Sequence, residues 1–474
     1  MPPRESKAWT VCGVFSGILL MLTAASCSSE KGPYQLTDDV AMYKRELRAL
    51  PDDINARYQL GVTYYKLGDY SAAAKELEDV VRENPNLPYA YNNLGLAYVG
   101  MGELGKAITA YLKALELDRD FLTARLNAGL AYYLAGEFAE AGSHFQKLLK
   151  KDPDNIGARQ GLGLCLFRMG RFDEAIAEFK KVSELDPNNA DAYKYMGVIY
   201  ERKGDLSAAI SNYREALRLN PHDAETHWDL ANIYFEQGYF EGALREYMYV
   251  IDIRPEFKEA YFRRALALQE LGAPLEATEV LERLAVLDTN YPEVHYQLGL
   301  IYEEREMPDK AVSEYEKELK NNPNDVKAHK ALGELYLTRG EYDNAIRHFT
   351  SVVQIDPASA QAAYELGDAY AKSGKFALAL VQWRRAAEMD PVMAIKVWKR
   401  ALEFNPKMAE AHYRLGLAYL NEGKVAAAVS SLEAAVSAKP NNIAFQQALG
   451  RAYDEQEKLL AREGKERAEE EWWP

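Results

Sequence analysis

Residues 156–189 read IGARQGLGLCLFRMGRFDEAIAEFKKVSELDPNN, and residues 190–223 read ADAYKYMGVIYERKGDLSAAISNYREALRLNPHD. The two stretches have equal lengths, and the same residue types fall at matching places: Gly163 and Gly197, Gly170 and Gly204, Ala175 and Ala209, Pro187 and Pro221. Self-similarity at a fixed period of this size is typical of proteins built from stacked supersecondary units. The period of 34 residues therefore decides the fold class.

Each unit predicts two helices joined by a tight turn. When positions are counted from residue 54 in steps of 34 residues, positions 4, 7, 8 and 11 have the i, i+3, i+4, i+7 spacing of an amphipathic helix. A second apolar stripe follows at positions 20, 24 and 27, as in Ala175, Phe179 and Val182. Gly at position 15 supplies the left-handed residue that ends the first helix, and Pro at position 32 ends the second.

The repeats account for most of the chain of 474 residues. The predicted segments are a leader (1–26), a tether (27–33), an N-terminal capping helix (34–53), ten repeats (54–393), a half repeat (394–408), one more repeat (409–442), and a C-terminal capping helix with a tail (443–474). The half repeat predicts a local distortion of the array, with one longer second helix as the alternative.

The pattern Leu-Gly-x-x-Tyr, Gly, Ala, aromatic, Ala, Pro is similar to that of tetratricopeptide repeats. The fourth unit shows it as Leu162-Gly163, Gly170, Ala175, Phe179 and Pro187. The resemblance implies an all-α, right-handed superhelical solenoid of about 11 to 12 helix-turn-helix repeats. It also implies that the first helices line a concave groove that holds peptides or partner proteins.

The first residues predict an export signal. Residues 1–26 carry basic residues, then an apolar run, then small residues before Cys27, and the run is shorter than the ~20 residues of a permanent membrane span. Ala24-Ala25-Ser26-Cys27 resembles the lipobox of bacterial lipoproteins, which implies a lipid anchor at Cys27. Ser28 after the cysteine is compatible with the periplasmic face of the outer membrane. An ordinary signal-peptidase site, and secretion to the periplasm, is the alternative.

The candidate binding residues lie at positions 2, 5, 6, 9, 12 and 13, which face away from the core of each helix pair. In repeats 1–4 these positions hold apolar and amide side chains, and the candidates are Tyr58, Gln59, Asn92, Asn93, Asn127, Tyr133 and Phe167. In repeats 5–8 they hold ten acids and several rings, and the candidates are Trp228, Asp229, Phe235, Phe262 and Tyr296. Gln59, Asn93 and Asn127 share position 6, so we expect their amides to stack along the groove and pair with a peptide backbone.

Composition and motifs argue against several function classes. The net charge of -15 disfavours a nucleic-acid partner, which requires an excess of basic residues. Four histidines fall at position 4 of separate repeats, where we expect core residues and not a metal cluster: His227, His295, His329 and His412. We therefore expect no catalytic residue, metal, cofactor or small-molecule substrate.

The sequence thus predicts a non-enzymatic, lipid-anchored scaffold that faces the periplasm and binds protein or extended peptide segments, with basic segments favoured by the acidic repeats. Its role would be to assist the assembly of an envelope or secretion complex. A non-catalytic regulator or adaptor subunit of an envelope enzyme, such as a wall hydrolase or protease, is the alternative. A self-associating structural array is a third class.

Overall fold

The computed structural model describes the backbone of residues 33–471 and the side chains of residues 34–462. The predicted leader, the anchor residue Cys27 and the pair Trp472-Trp473 lie outside the described residues. The chain divides into two compact units, an N-terminal unit that ends at Leu271 and a C-terminal unit that begins at Gly272.

Between residues 33 and 271 the N-terminal unit contains fourteen helices, each packed mainly on its neighbours in sequence. They are α1 (Pro33–Ala49), α2 (Ile54–Lys66), α3 (Tyr70–Glu83), α4 (Pro88–Gly100), α5 (Leu104–Leu117), α6 (Leu122–Leu134), α7 (Phe138–Leu149), α8 (Ile156–Arg168), α9 (Phe172–Leu185), α10 (Ala190–Lys203), α11 (Leu206–Leu219), α12 (Ala224–Glu236), α13 (Phe240–Ile253) and α14 (Lys258–Glu270).

The described part of the C-terminal unit, residues 272–471, continues the same pattern over eleven helices. They are α15 (Pro274–Leu287), α16 (Val294–Glu304), α17 (Pro308–Asn321), α18 (Val326–Thr338), α19 (Tyr342–Ile355), α20 (Ala360–Lys372), α21 (Phe376–Met389), α22 (Pro391–Phe404), α23 (Ala409–Asn421), α24 (Val425–Ala438) and α25 (Ile443–Glu471). No strand occurs between residues 33 and 471, so the all-α repeat fold predicted from the sequence is confirmed.

The turn inside each repeat depends on a left-handed residue at position 15. Gly170 adopts φ 76° there, and the other glycines at this position in the described repeats have similar angles. The eighth repeat carries Glu306 instead, which takes the same region at φ 55°. A residue with a side chain is disfavoured at positive φ, so the turn at Glu306 is strained, whereas the turns with glycine at this position are not.

Close packing of the two helices of a repeat depends on a small residue opposite a ring. Gly95 of α4 faces the fully buried Tyr111 of α5, and a Cβ added to Gly95 would lie 2.5 Å from the ring. Gly163 has the same relationship with the buried Phe179. In these two repeats a buried ring of the second helix is therefore seated over a glycine of the first, whereas Gly61 and Gly416 face the leucines Leu77 and Leu432.

The predicted half repeat forms a separate helix, α22, and not an extension of α21. Asp390 alone separates the two helices, and its Oδ1 accepts a hydrogen bond from the backbone N–H of Val392. Arg400 of α22 pairs with Asp368 of α20 at 3.1 Å, so α22 packs beside a first helix as well as a second. None of the helices described in residues 33–471 combines the length and hydropathy needed to cross a membrane.

Candidate binding face

Three first helices of the N-terminal unit are joined by a chain of side-chain hydrogen bonds. Nδ2 of Asn127 on α6 donates to Oδ1 of Asn92 on α4 at 3.0 Å, and Nδ2 of Asn92 donates to Oδ1 of Asn93 at 3.3 Å. Nδ2 of Asn93 in turn donates to the hydroxyl of Tyr58 on α2 at 2.7 Å. Each bond between helices joins position 6 of one repeat to position 5 of the repeat before it. We call this surface, with Gln59 and Tyr89, the amide–aromatic face.

The amides of this face differ in their access to a ligand. Asn127 is fully buried and Asn92 is 5% exposed, whereas Asn93 is partly exposed and Gln59 is exposed. The expected stack along position 6 is therefore not what the structure shows, because Asn127 bonds to position 5 of its neighbour. Gln59 makes no side-chain hydrogen bond to another described residue, so its amide is free for a partner.

Oδ1 of Asn127 has no hydrogen-bond partner among the described residues although it is buried. A buried acceptor without a donor costs free energy, on the order of 1–3 kcal/mol. The side chain keeps its position because its Nδ2 is bonded and its helix is packed on both sides. Asn127 thus positions α6 against α4, and the exposed part of the face belongs to its neighbours.

Tyr89, which was not among the binding residues predicted from the sequence, adds an exposed ring to the amide–aromatic face. Tyr89, at position 2 of α4, packs edge-on against Tyr58 with ring centroids 5.0 Å apart and is 40% exposed. The signal was present, since position 2 belongs to the set that faces away from the helix-pair core. The two rings and the amides of Gln59 and Asn93 form a surface that offers both stacking and hydrogen bonds.

Tyr133 and Phe167 are more enclosed than the sequence pattern suggested. Tyr133 is 6% exposed and packs against Phe138 with centroids 5.3 Å apart, and Arg168 lies beside its hydroxyl. Burial raises the pKa of the Tyr133 hydroxyl, which therefore stays protonated. Phe167 packs on Phe172 at 5.9 Å. The guanidinium of Arg168 lies 4.6 Å from the ring of Phe138 and closes the edge of this cluster.

The acidic repeats of the N-terminal unit contain a half-buried cation. Nζ of Lys194 on α10 lies 2.7 Å from Glu225 and 3.0 Å from Asp223, and all three side chains are less than a quarter exposed. Despite the cost of burial, the two carboxylates raise the pKa of Lys194, and the Lys194 ammonium lowers the pKa of Asp223. The pair of acids is therefore already neutralised in part by the chain's own lysine.

Asp229 on α12 lacks such a partner. It makes no hydrogen bond or ion pair with any residue that the structure describes, and it lies near Glu201. Loss of hydration, followed by the charge of Glu201, raises the pKa of Asp229 well above its usual value. The Lys194 ammonium opposes this shift only in part, because Asp223 and Glu225 already hold it, so a cation from a partner would be stabilised beside Asp229.

The rings of the acidic repeats pack against their own unit. Trp228 contacts Phe257 edge-on at 5.0 Å and Tyr247 at 5.5 Å, and Phe235 contacts Phe240 at 5.4 Å. All these residues, like Phe262, belong to the N-terminal unit.

Tyr296 belongs to the C-terminal unit, where it packs on Tyr315 at 5.7 Å with Lys327 beyond its ring at 5.6 Å. The candidates of repeats 5–8 therefore fall into two groups, one in each unit.

The position-4 residues have a shared structural task that the sequence did not reveal. His227 and His329 each bond through Nε2 to the carbonyl of the proline six residues earlier, at 3.1 Å and 3.0 Å. Through Nδ1, His227 contacts Glu246 at 2.7 Å and His329 contacts His348 at 3.0 Å. Each residue ties the inter-repeat turn to the second helix of its own repeat.

Reactive and metal-binding groups are not assembled in the described residues. Cys165 is buried, and burial raises the pKa of its thiol to about 12, which makes it a poor nucleophile. No group of three or more His, Cys, Asp or Glu side chains within the described part of the chain is placed to hold a metal ion.

Family models described as tetratricopeptide repeat or TPR repeat match most of the chain between residue 63 and residue 442. The matched ranges are 132–197 and 92–156, then 63–102, 201–238, 231–272, 333–374 and 393–423, and finally 292–325 and 409–442. No curated protein matches the sequence.

Solved structures of repeat proteins are similar to parts of the chain. YrrB, described as a TPR protein with an unusual peptide-binding site, is 27% identical, covers 40% of this chain and 97% of its own, and has a TM-score of 0.34. MamA from Desulfovibrio magneticus RS-1, from residue 41 to its end, is 20% identical over 36% of this chain and 97% of its own, with a TM-score of 0.35. The TPR domain of P58(IPK) is 18% identical, covers 86% of this chain and 99% of its own, and has a TM-score of 0.26.

Proposed function

We propose, from the premise that this chain belongs to the tetratricopeptide repeat family, that its amide–aromatic face binds an extended segment of a partner protein. The family fold is generally a non-catalytic scaffold for protein interaction. The observation that carries the proposal is the hydrogen-bonded chain from Asn127 to Tyr58, which fixes three first helices and leaves Gln59, Tyr89 and part of Asn93 open.

The chemistry of that face suits a peptide backbone. The amide of Gln59 offers a donor and an acceptor, and Oδ1 of Asn93 keeps a second lone pair beyond its bond to Asn92. The rings of Tyr58 and Tyr89 supply an amphipathic surface for side chains of the segment. Because the amides recognise the main chain, the face would accept segments of varied sequence.

The acidic repeats favour a basic residue in the same partner. Lys194 is bound by Asp223 and Glu225, and Asp229 makes no ion pair of its own with a described residue. A lysine or arginine of the partner would supply the missing charge. We expect such a contact to speed association and to weaken as salt rises.

We further propose that the scaffold acts at the bacterial envelope, facing the periplasm and anchored by a lipid on Cys27, where it assists the assembly of an envelope or secretion complex. The support is the order of basic, apolar and small residues before Cys27 in the sequence. Two or more acyl chains give stable membrane anchoring, whereas one is marginal.

Site-specific photo-crosslinking in intact cells tests the binding face. A crosslinking residue replaces Tyr89, which is 40% exposed on the face, and in a matched control it replaces Leu112, which is 41% exposed on the second helix α5. We expect a partner protein to be captured from position 89 and not from position 112. Equal capture from both positions, or none from position 89, would contradict the proposal. If the captured protein is a wall hydrolase or a protease, the regulator role replaces assembly.

The exposed amides are tested separately. In the crosslinking background, Gln59→Ala should lower capture several-fold without changing the thermal unfolding temperature, because Gln59 is exposed and makes no side-chain hydrogen bond within the described chain. A substitution that leaves capture unchanged would remove Gln59 from the face.

The anchor has its own test. Cys27→Ser should shift the protein from the membrane fraction to the soluble periplasm and abolish incorporation of labelled palmitate. An unchanged mass and an unchanged fractionation would show that Cys27 carries no lipid, and the binding proposal would stand independently.

A further inference from the structure

The insertion of α22 leaves a cavity in the C-terminal unit. The link between α19 and α20 has four residues, 356–359, whereas Asp390 alone joins α21 to α22. The short link holds the start of α22 against the end of α21, and the space between α21, α22 and α23 is not filled. The cavity measures about 430 Å³, within the range of sites that take small ligands or side chains.

The cavity has an apolar floor and a charged rim. Trp398 is 3% exposed and forms the floor with Ala394, Leu417 and Ala418. The rim residues are Arg384, Glu388, Arg414, Asn421 and Glu422. Arg414 is paired with Glu410 at 2.8 Å. Arg384 is exposed and makes no ion pair or hydrogen bond with a residue that the structure describes.

Exposed aliphatic side chains extend the cavity along α21. Val392, on the cavity wall, is 80% exposed, and Leu378 and Val381 are 48% and 58% exposed. Leu378, Val381 and Arg384 are spaced by three residues and therefore lie on one face of the helix. A run of exposed aliphatic groups beside an apolar cavity is typical of a surface that a partner covers.

The same region is basic in an acidic protein. Residues 384–400 contain five basic residues and two acidic ones, although the whole chain carries -15. An occupant that combines apolar rings with negative charge would complement both the floor and its surroundings.

One segment of the chain has this composition. Residues 469–473 read EEEWW, three carboxylates followed by two indoles. Trp472 and Trp473 follow the last repeat and do not correspond to any of the recurring positions of the 34-residue unit. Tryptophan is one of the residue types that are enriched as anchors in the pockets of protein interfaces, and the adjacent acids match the exposed Arg384.

The segment lies at and beyond the end of α25. Tyr453 still contacts the unit through a hydrogen bond from its hydroxyl to Glu433, whereas the side chains from Glu457 to Arg462 are exposed. The helix continues without a break to Glu471, which at 1.5 Å per residue lies roughly 27 Å farther along its axis. The three acids and two indoles are therefore carried by a helix whose last described side chains face solvent.

We propose that residues 469–473 of one copy of this chain dock into the cavity of a second copy, with the indoles over Trp398 and the carboxylates at Arg384. Helix α25 carries the segment, and α22 contributes part of the cavity that receives it. The proposal is independent of the amide–aromatic face and of the partner bound there.

Photo-crosslinking between two tagged copies tests the contact. A crosslinking residue replaces Val392 in the full-length chain, which is coexpressed with a second full-length copy that carries a different tag. We expect a covalent product that contains both tags, joined at the peptide with residues 469–473 of the second copy. A product joined within one chain, a product with another protein, or no product would each overturn the proposal. Position 286 serves as the control, since Val286 is 82% exposed on α15 and does not line the cavity.

Sedimentation equilibrium of the purified chain gives the strength of the contact. Replacing Trp472 and Trp473 together by Ala should weaken self-association at least tenfold, because buried tryptophan anchors carry that share of interface affinity. Val392→Glu should weaken it similarly, while Val286→Glu should leave it unchanged. Self-association that persists at the same concentration in the first two variants would overturn the proposal. Circular dichroism checks that each variant is folded.

Discussion

Nδ2 of Asn127 donates a hydrogen bond to Oδ1 of Asn92, 35 positions earlier in the chain, and this bond spans two repeats inside the N-terminal unit. Both side chains are buried, so the bond has no competing water. Asn92→Leu should lower the free energy of unfolding by about 1–3 kcal/mol, because it leaves the Asn127 amide without any partner. The combined variant with Asn127→Leu should lose less than the sum of the two single changes.

Urea unfolding and hydrogen exchange of the α4 and α6 amides measure this coupling. Gln59→Leu is the matched control, since it also replaces an amide of the face but at an exposed side chain, and we expect a change within about 0.5 kcal/mol. Additive effects of the Asn92 and Asn127 substitutions would mean that the bond contributes no coupling.

Two glycines within one helix pair should respond to alanine in opposite ways. A Cβ on Gly95 would lie 2.5 Å from the buried ring of Tyr111, whereas a Cβ on Gly105 meets nothing within 4 Å. Gly95→Ala should therefore destabilise the chain by about 1–3 kcal/mol through overpacking. Gly105→Ala should stabilise it by about 0.5–1 kcal/mol, because alanine restricts the unfolded chain and favours the helix.

The midpoints of urea unfolding of Gly95→Ala and Gly105→Ala measure these two changes in stability. A loss of stability in Gly105→Ala, or no change in Gly95→Ala, would show that Tyr111 moves to make room.

The helix pairs were predictable because each depends on contacts within one period of the sequence. Gly95 and Tyr111 are close in sequence, and their spacing recurs in unit after unit. The bond between Asn127 and Asn92 was not predictable, since it joins different positions of adjacent repeats and depends on how the helices stack. The burial of Asn127 follows from the same stacking, which a single helix pattern does not contain.

The contact between His329 and His348 should make the C-terminal unit sensitive to acid. Nε2 of His329 donates to the carbonyl of Pro323, so its Nδ1 accepts from Nδ1 of His348, and Nε2 of His348 accepts from Arg347. Burial, followed by the charges of His329 and Arg347, lowers the pKa of His348 to about 4 from an ordinary 6.5. The neutral form of His348 is therefore the one that the fold requires.

The lowered pKa of His348 decides whether the free energy of unfolding rises or falls with pH. Between pH 6.5 and pH 4 the unfolded chain binds a proton at His348 that the folded chain does not, so stability rises with pH over this range. The full effect is up to about 3 kcal/mol, lost as the pH falls from 6.5 to 4. His348→Gln keeps a polar group beside His329 and removes the titration, so its unfolding should depend less on pH.

Urea unfolding at several pH values measures the slope for the natural chain, for His348→Gln and for His222→Gln. His222 is exposed in a turn, and its substitution should leave the slope unchanged. An identical slope in His348→Gln would assign the acid sensitivity to another group, of which His144 is the first to examine, because burial lowers its pKa to about 4 as well.

Asp229→Asn should stabilise the chain and weaken partner binding at the same time. Loss of hydration and the charge of Glu201 raise the pKa of Asp229, so its carboxylate is costly at neutral pH. An amide of the same shape removes that cost. We therefore expect the free energy of unfolding at pH 7 to be higher for the variant than for the natural chain.

The stability advantage of Asp229→Asn over the natural chain should disappear at acid pH. A carboxyl group with a raised folded pKa contributes stability below its unfolded pKa, near 4, and loses that contribution as the pH rises through the folded pKa. The difference between Asp229→Asn and the natural chain should thus be largest at neutral pH and small near pH 4. Asp154→Asn, at an exposed aspartate, is the matched control and should show no such dependence.

Binding of a basic partner would stabilise the Asp229 carboxylate that is costly in the unbound chain. If a lysine or arginine of the partner neutralises Asp229, the stabilised variant gives up that ion pair, and capture of the partner should fall and lose much of its salt dependence. A protein whose stability rises while its binding falls retains a destabilising group for function. Unfolding in urea and crosslinking from position 89 measure the two quantities on the same variant. A gain in stability with unchanged capture would mean that Asp229 is not the residue that meets the partner's charge, and a loss of stability would mean that the carboxylate is compensated in the folded chain.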